Sequence, residues 1–313
     1  MAVRLPMQIS GTSKMKKYLG IDIGGTTLKV GLVDESGHLS HFKQVKTAAH
    51  GDEILKTIGQ LSCDYQKITP IEGIGVSAPG IVHQDGFMTT GGAIRDFYQV
   101  NLKDLIEAQT DLPVSIENDA NAAIIAEKWL GNAQTYHNYI MLVLGTGVGG
   151  GIVINDQIYR GRQGMAGEFG MMKVVPTQPG QDERLATLSL NGAVVGGLLA
   201  DYNNRAHDNV TDARVLYERA DQGDSNAQHA FRHFYLSLSN CLNNLALAYD
   251  PEAILIGGGI SANATFMKQL IARCQLDKDA NSDTKPLDFA PIMAAKLQNN
   301  AGIIGAVYQL LHR

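Results

Sequence analysis

One short pattern occurs twice in this chain, about 120 residues apart, and it constrains the fold more than any other feature. Residues 18–23 form a β-branched run containing Asp22, followed by Gly24-Gly25-Thr26-Thr27. An alternating run over 28–33, a polar turn at 34–37 and a third strand from about His38 complete the unit. Residues 139–144 are again an apolar run, followed by Gly145-Thr146-Gly147-Val148-Gly149-Gly150-Gly151. A strand over 152–154, the turn Asn155-Asp156 and Ile158-Tyr159 then repeat the order. Alternation bounded by turn residues predicts strands. A supersecondary unit that returns in the same order predicts internal duplication.

Each unit leads into α/β material. In the first half, 71–77 reads as a buried strand, 102–109 as a helix and 114–117 as a strand. Asn118 or Asp119 then caps a helix over 120–130 that Gly131 stops. In the second half, 189–204, 215–220 and 224–249 read as helices, and the last carries one apolar stripe from Ala230 to Leu245. A strand at 253–256, a helix at 263–274, a short strand near Ile292 and a terminal helix over 302–312 follow. The expected fold class is α/β, two mixed-sheet lobes with a cleft between them. A length of 313 residues is more than one compact core holds, which agrees with two lobes.

A tight loop with little side chain lets backbone N–H groups approach an anion, and a threonine hydroxyl adds a donor. Two such loops from two lobes can grip a polyphosphate from both sides; either loop alone is equally well a hairpin turn. Gly145-x-Gly147-x-x-Gly150 also satisfies the dinucleotide pattern, which would make the chain an oxidoreductase. That pattern requires a helix on its last glycine, and strand-like residues follow here. No GxxxxGK[ST] sequence is present. Gly257-Gly258-Gly259 joins a strand to a helix, which suits either a nucleotide contact or a plain turn.

Glu117-Asn118-Asp119-Ala120-Asn121 stands where an apolar strand becomes an alanine-rich helix. Capping accounts for one of its polar side chains, at about 1 kcal/mol, and leaves the others in surplus. An aspartate beside a phosphate cleft can take the proton of an attacking hydroxyl, so Asp119 is the candidate base. Glu168, between Gly167 and Phe169-Gly170, is either a solvated loop acid or a bidentate acceptor for sugar hydroxyls. Asp22 is the candidate for holding Mg²⁺, directly or through water. His83, His137 and His233 occur singly and read as structural or exposed.

A formal net charge of −5 argues against nucleic acid as a partner. Three cysteines, odd in number and far apart, argue against a disulfide framework and fit a reducing cytoplasm. No apolar run approaches about 18 residues, so no spanning helix and no membrane partner are expected. Residues 1–15 read as an extension outside the fold.

The runs 21–29, 117–123, 145–151, 166–170 and 256–260 resemble, in order, the motifs of the ROK family of sugar kinases and sugar-responsive repressors. The resemblance implies an actin-like, ribonuclease H-like ATPase fold with ATP·Mg²⁺ between duplicated lobes. It places a small lobe at 16–118, to which a C-terminal helix (298–313) packs back, and a large lobe at 119–297. It implies phosphate contacts at Gly24, Gly25, Thr26 and Thr27 and at Gly145, Thr146, Gly147 and Gly149. Adenosine-side contacts fall at Gly257, Gly258 and Gly259, the catalytic base at Asp119 and sugar contacts at Asn118 and Glu168. The implied activity is transfer of the γ-phosphoryl group to a primary hydroxyl, O6, of a hexose or β-glucoside. The alternative is a sugar-binding regulator without kinase activity. Repressor members carry a winged helix ahead of the first loop, whereas 17 residues precede Tyr18 here. A cytoplasmic homodimer is implied as well. One departure is specific: Met171 stands where many members have a histidine, and no cysteine lies between Cys63 and Cys241. The family's structural zinc is therefore not expected, and Glu183 is a candidate replacement for the sugar-binding acid lost with it. Such a remodelled wall suits a substituted anomeric position, as in zinc-less members resembling β-glucoside kinases.

Overall fold

The computed structural model describes residues 15–312; most of the extension at 1–15 lies outside them. Strands β1 (Lys17–Ile23), β2 (Thr27–Asp34) and β3 (Leu39–Lys46) form a meander, followed by α1 (Gly51–Gln66) and β4 (Ile74–Ala78). A small ribbon, β5 (Phe87–Met88) with β6 (Val100–Asn101), precedes α2 (Leu102–Thr110) and β7 (Val114–Asn118). The first sheet runs β3-β2-β1-β4-β7, antiparallel across β3-β2-β1 and parallel across β1-β4-β7.

Helix α3 (Asp119–Leu130) leads to β8 (Tyr139–Leu144), β9 (Val148–Ile154) and β10 (Gln157–Ile158), a second meander. Then come α4 (Leu188–Asn191), α5 (Ala200–Ala206), α6 (Ala213–Asp221), α7 (Ser225–Tyr249), β11 (Ala253–Gly257), α8 (Ala264–Ala280), β12 (Ile292–Ala294) and α9 (Ala301–Leu311). The second sheet runs β10-β9-β8-β11-β12 with the same sequence of antiparallel and parallel neighbours. Each strand of one sheet therefore has a counterpart in the other. The duplication in the sequence is a duplication of topology.

Strand alternation decides which helix covers which face. Leu19, Ile21 and Ile23 of β1 join Ile54 and Ile58 of α1 and Leu102 and Ile106 of α2 in one core. On the opposite face Gly20 and Gly75 are register partners and make a groove for α9. A Cβ on Gly75 would lie 2.5 Å from the Ala306 backbone. In the second sheet, Ile140, Leu142 and Ile254 pack with Phe234 and Leu238 of α7 and Phe266 of α8. Tyr139, Met141 and Leu255 face the other way, toward Ala123 and Ile124 of α3 and Ile304 of α9. Helices α3 and α9 thus run between the two sheets. They meet at Gly305, where an added Cβ would lie 1.7 Å from the Ala122 carbonyl oxygen.

Two of the segments assigned from the sequence take a different form. The single helix expected over 189–204 is broken into α4, a π-helical turn (Val194–Leu199) and α5. The break has a cause: the N–H groups of Val194 and Val195 donate to the Gly145 carbonyl at 3.1 and 3.2 Å, and that of Gly196 to Thr146. These amides serve the second glycine loop instead of a helix ladder, and π-turns recur at such places. Gly149, Gly150 and Gly151, read as loop, belong to β9. A Cβ on Gly150 would sit 2.3 Å from the Phe169 ring, so glycine here makes room for packing inside a strand. Because a strand and not a helix follows Gly147, the dinucleotide reading loses its structural requirement. Among the described residues no helix is long and apolar enough to cross a membrane.

Candidate active site

The central strands β1 and β8 end in corresponding loops. In the first, the Gly24 N–H donates to the Thr27 carbonyl at 3.1 Å; in the second, the Gly145 N–H donates to the Gly147 carbonyl at 3.0 Å. Each loop is braced from behind. Thr47 donates its hydroxyl to the Gly24 carbonyl at 2.7 Å and its N–H to the Thr26 carbonyl at 3.0 Å. The π-turn amides brace the second loop. Gly258, at φ +86°, packs so tightly that a Cβ would lie 2.0 Å from the Leu144 carbonyl. A residue with any side chain would push β11 off β8 at this point.

A cavity of about 240 Å³ lies between the halves. Asp22, Gly24 and Lys29 line it from the first; Gly145, Gly149 and Gly258 line it from the second, Asp119 lines it from the start of α3, and Ala301 and Gly302 bring the N-terminal turn of α9. Gly25 lines a neighbouring cavity with Lys46 and Thr47. Thr26, Thr146 and Gly147 are exposed loop positions, Gly259 is exposed at the start of the 3₁₀ turn Gly259–Ala262, Thr27 opens β2, and Gly257 is buried at the end of β11. Six of the residues singled out from the sequence thus share one cavity, although they lie up to 236 positions apart (Asp22 to Gly258).

Asp22 is held by two donors, Lys29 Nζ to Oδ2 at 3.1 Å and Ser77 Oγ to Oδ1 at 2.8 Å. Lys29 also donates to the Asn299 carbonyl at 3.3 Å, tying β2 to the turn before α9. Asp119 opens α3, and its Oδ1 accepts from the Ala120 N–H at 2.8 Å and from Asn118 Nδ2 at 3.2 Å. Asp119 is open to water through the cleft, yet it sits deep between the lobes with much protein around it. That burial, then the negative charges of Asp22 and Glu168, raise its pKa to about 6 against the pull of the Ala120 N–H.

Asn118 caps α3: its Oδ1 accepts from the Asn121 N–H at 3.0 Å, while its amide nitrogen donates to the Gly80 carbonyl at 2.8 Å and to Asp119. Both amide protons are engaged within the protein, so the residue orients Asp119 as much as it offers a ligand contact. Glu168 is half-buried before the 3₁₀ turn Phe169–Met171, and burial raises its pKa. Among the described residues no hydrogen bond to its carboxylate is present, so its acceptor capacity is intact.

Glu183 does not join this group. It is exposed, accepts from Thr177 Oγ1 at 3.3 Å and is ion-paired with Lys173, which lowers its pKa. It lines none of the cleft cavity. Met171 is exposed as well, and among the described residues no group of three histidine, cysteine or acidic side chains could hold a metal ion.

Other residues of the site carried no role in the sequence reading. Lys29 had a signal: counting back from the Gly24–Thr26 turn pairs it with Asp22 across the hairpin. Arg160 and Gln309 had none, since both reach Glu117 only through tertiary packing.

Fold and site together define a two-lobed α/β protein of actin-like ATPase architecture, with its glycine loops meeting at a carboxylate-lined cleft. The chain belongs to the ROK family, whose model matches residues 18–313. It is 37% identical over 300 residues to a β-glucoside kinase of Listeria monocytogenes, covering 94% of this chain and 97% of that one. A β-glucoside kinase of Klebsiella pneumoniae is 36% identical, with 93% and 95% covered. The crystal structure of a ROK family glucokinase from Streptomyces griseus in complex with glucose and AMPPNP superposes with a TM-score of 0.80 at 29% identity, covering 94% of this chain and 98% of that one.

Proposed function

We propose that this protein is an ATP-dependent sugar kinase that phosphorylates a primary hydroxyl, O6, of a hexose or β-glucoside. The observation that carries the reading is the meeting of Asp22, Gly24, Asp119, Gly145, Gly149 and Gly258 in one cavity. The kinase names of the relatives and the glucose and AMPPNP of the solved structure support it. Backbone amides of the two loops and the ammonium of Lys29 offer positive charge to the phosphates. Asp119 accepts the proton of the attacking hydroxyl while that oxygen bonds to the γ-phosphorus and the bond to the β,γ-bridging oxygen breaks, leaving ADP. A base with a pKa near 6 is ionised at neutral pH and still basic enough for this task. Glu168 accepts hydrogen bonds from ring hydroxyls, and Asn118 holds Asp119 in place.

The donor set also fits Mg²⁺ that arrives with ATP. Mg²⁺ in such sites takes one or two carboxylates and completes its shell with phosphate oxygens and water. Asp22 offers hard oxygens with lone pairs beyond those used by Lys29 and Ser77. When bound, the ion would neutralise charge developing on the phosphates. The anomeric side favours a β-glucoside over free glucose, in line with Met171 and the missing cysteines. Family likeness extends the reading to a cytoplasmic homodimer, which light scattering of the purified protein tests.

The deciding experiment is Asp119→Asn in a coupled ADP-release assay with glucose and cellobiose. We expect kcat to fall about 10²–10⁴-fold, the range of general base catalysis, with AMPPNP binding retained. Full turnover in this variant refutes the assignment. Wild-type protein that binds sugar but releases no ADP with any acceptor favours the regulator instead.

A further inference from the structure

Directly behind Asp119 lies a buried ion pair that the phosphoryl-transfer chemistry does not use. Glu117, the last buried residue of β7, is 2% exposed. Its Oε1 accepts from Arg160 Nη1 at 2.9 Å, the Asn118 N–H at 3.0 Å and Asn121 Nδ2 at 3.2 Å. Its Oε2 accepts from Arg160 Nη2 at 2.6 Å and Gln309 Nε2 at 2.5 Å. These donors come from three separate places: the β7–α3 junction, the segment after β10 in the second lobe, and α9. A carboxylate so saturated has no capacity left for substrate. A buried ion pair is also a poor choice if stability were the only requirement, since a neutral replacement of similar volume is often as stable.

We infer that Arg160 is a positioning residue: its guanidinium, reaching from the second lobe, clamps Glu117 and so fixes the strand end that carries Asn118 and Asp119. A forked guanidinium sets the plane and the distance of a carboxylate together, which a point charge does not. The backbone of Arg160 extends the same control to the sugar side. Its carbonyl accepts from the Ala166 N–H at 3.2 Å, closing the loop that leads into Glu168. One residue therefore sets the relative placement of the base and of the acid that faces the acceptor. Misplacement of reacting groups by about 1 Å can cost 10²-fold in rate.

The inference rests on the kinase reading, and its test separates the two. Arg160→Met is expected to lower kcat about 10²-fold while the KM for ATP stays within about threefold, because the glycine loops are untouched. Arg160→Lys restores the charge but not the fork and should recover only part of kcat. The double variant Glu117→Gln with Arg160→Met removes the orphaned charge, so it should regain thermal stability without regaining kcat. If Arg160→Met does not fold, the lysine and double variants carry the comparison. Wild-type kcat in Arg160→Met, or in Arg160→Lys where that one is used, overturns the inference, as does a double variant whose kcat returns with its stability. Wild-type protein that releases no ADP with any sugar defeats the kinase reading, whatever the variants do.

Discussion

Asp119 carries two competing demands, and its environment sets the balance between them. As the first residue of α3 it faces backbone N–H groups that favour its charged form, while burial and the negative charges of Asp22 and Glu168 disfavour it. The net result, a pKa of about 6 against an ordinary 3.8, makes two measurements predictable. The acid limb of kcat/KM should fall with a midpoint near pH 6, because the proton acceptor is lost as Asp119 protonates. A midpoint near 4 would remove Asp119 as the group controlling the rate. Stability should move the other way. A carboxyl whose folded pKa is raised binds more protons folded than unfolded between about pH 4 and 6, so stability falls as pH rises through that window. Asp119→Asn escapes this penalty. Its melting temperature at pH 7 should exceed that of the wild type, with the gain vanishing as pH drops below 4.

At the scale of elements, the pair α3–α9 shows what could be read from the chain and what could not. The helix over 120–130 was legible from its cap, its alanines and Gly131, and the terminal helix from its apolar run. That the two cross at Gly305 and Ala122 was not, since nothing local marks residues so far apart as neighbours. The same holds for Arg160 and Glu117, 43 positions apart, and for Gln309 and Glu117, 192 apart. By contrast the two glycine loops were legible because duplication wrote them twice, and the placing of Asp119 at the cleft because its neighbours exceeded what capping requires. Helix α1 is absent from the sequence reading although Ile54, Ile58 and Leu61 keep helical spacing and Pro70 follows its end, for no capping side chain marks its start. The crossing itself is testable. Gly305→Ala puts a methyl 1.7 Å from a carbonyl oxygen that is fixed in a helix, so α3 and α9 must separate. Overpacking of this kind costs about 1–3 kcal/mol, and an immovable backbone neighbour places it at the upper end. A melting temperature within a degree of wild type would show that the two helices are not rigidly apposed.

At the scale of the whole molecule, the two sheets are joined across α3, α9, the Arg160–Glu117 pair and the cleft, so ligands that touch both halves should bind the folded state as a unit. Each half contributes one glycine loop to the cavity, and two acidic side chains line it, Asp22 from β1 and Asp119 from the start of α3. Two carboxylates so placed repel each other and any bare polyphosphate. Nucleotide should therefore stabilise the protein with Mg²⁺ and much less without it. At a hundredfold excess over Kd, AMPPNP with Mg²⁺ should add about 2.7 kcal/mol to the unfolding free energy, read as a rise in melting temperature that EDTA abolishes. Zinc should have no part in this. Cys241 and Cys274 are buried, with thiol pKa values pushed up to about 12, so neither offers a thiolate to a metal. A zinc-selective chelator, with Mg²⁺ kept in excess, should leave both the melting temperature and turnover where they were. A fall in either on zinc removal would mean that the sugar-side wall near Met171 is built around a metal after all, and the argument from the missing cysteines to a substituted anomeric position would fall with it.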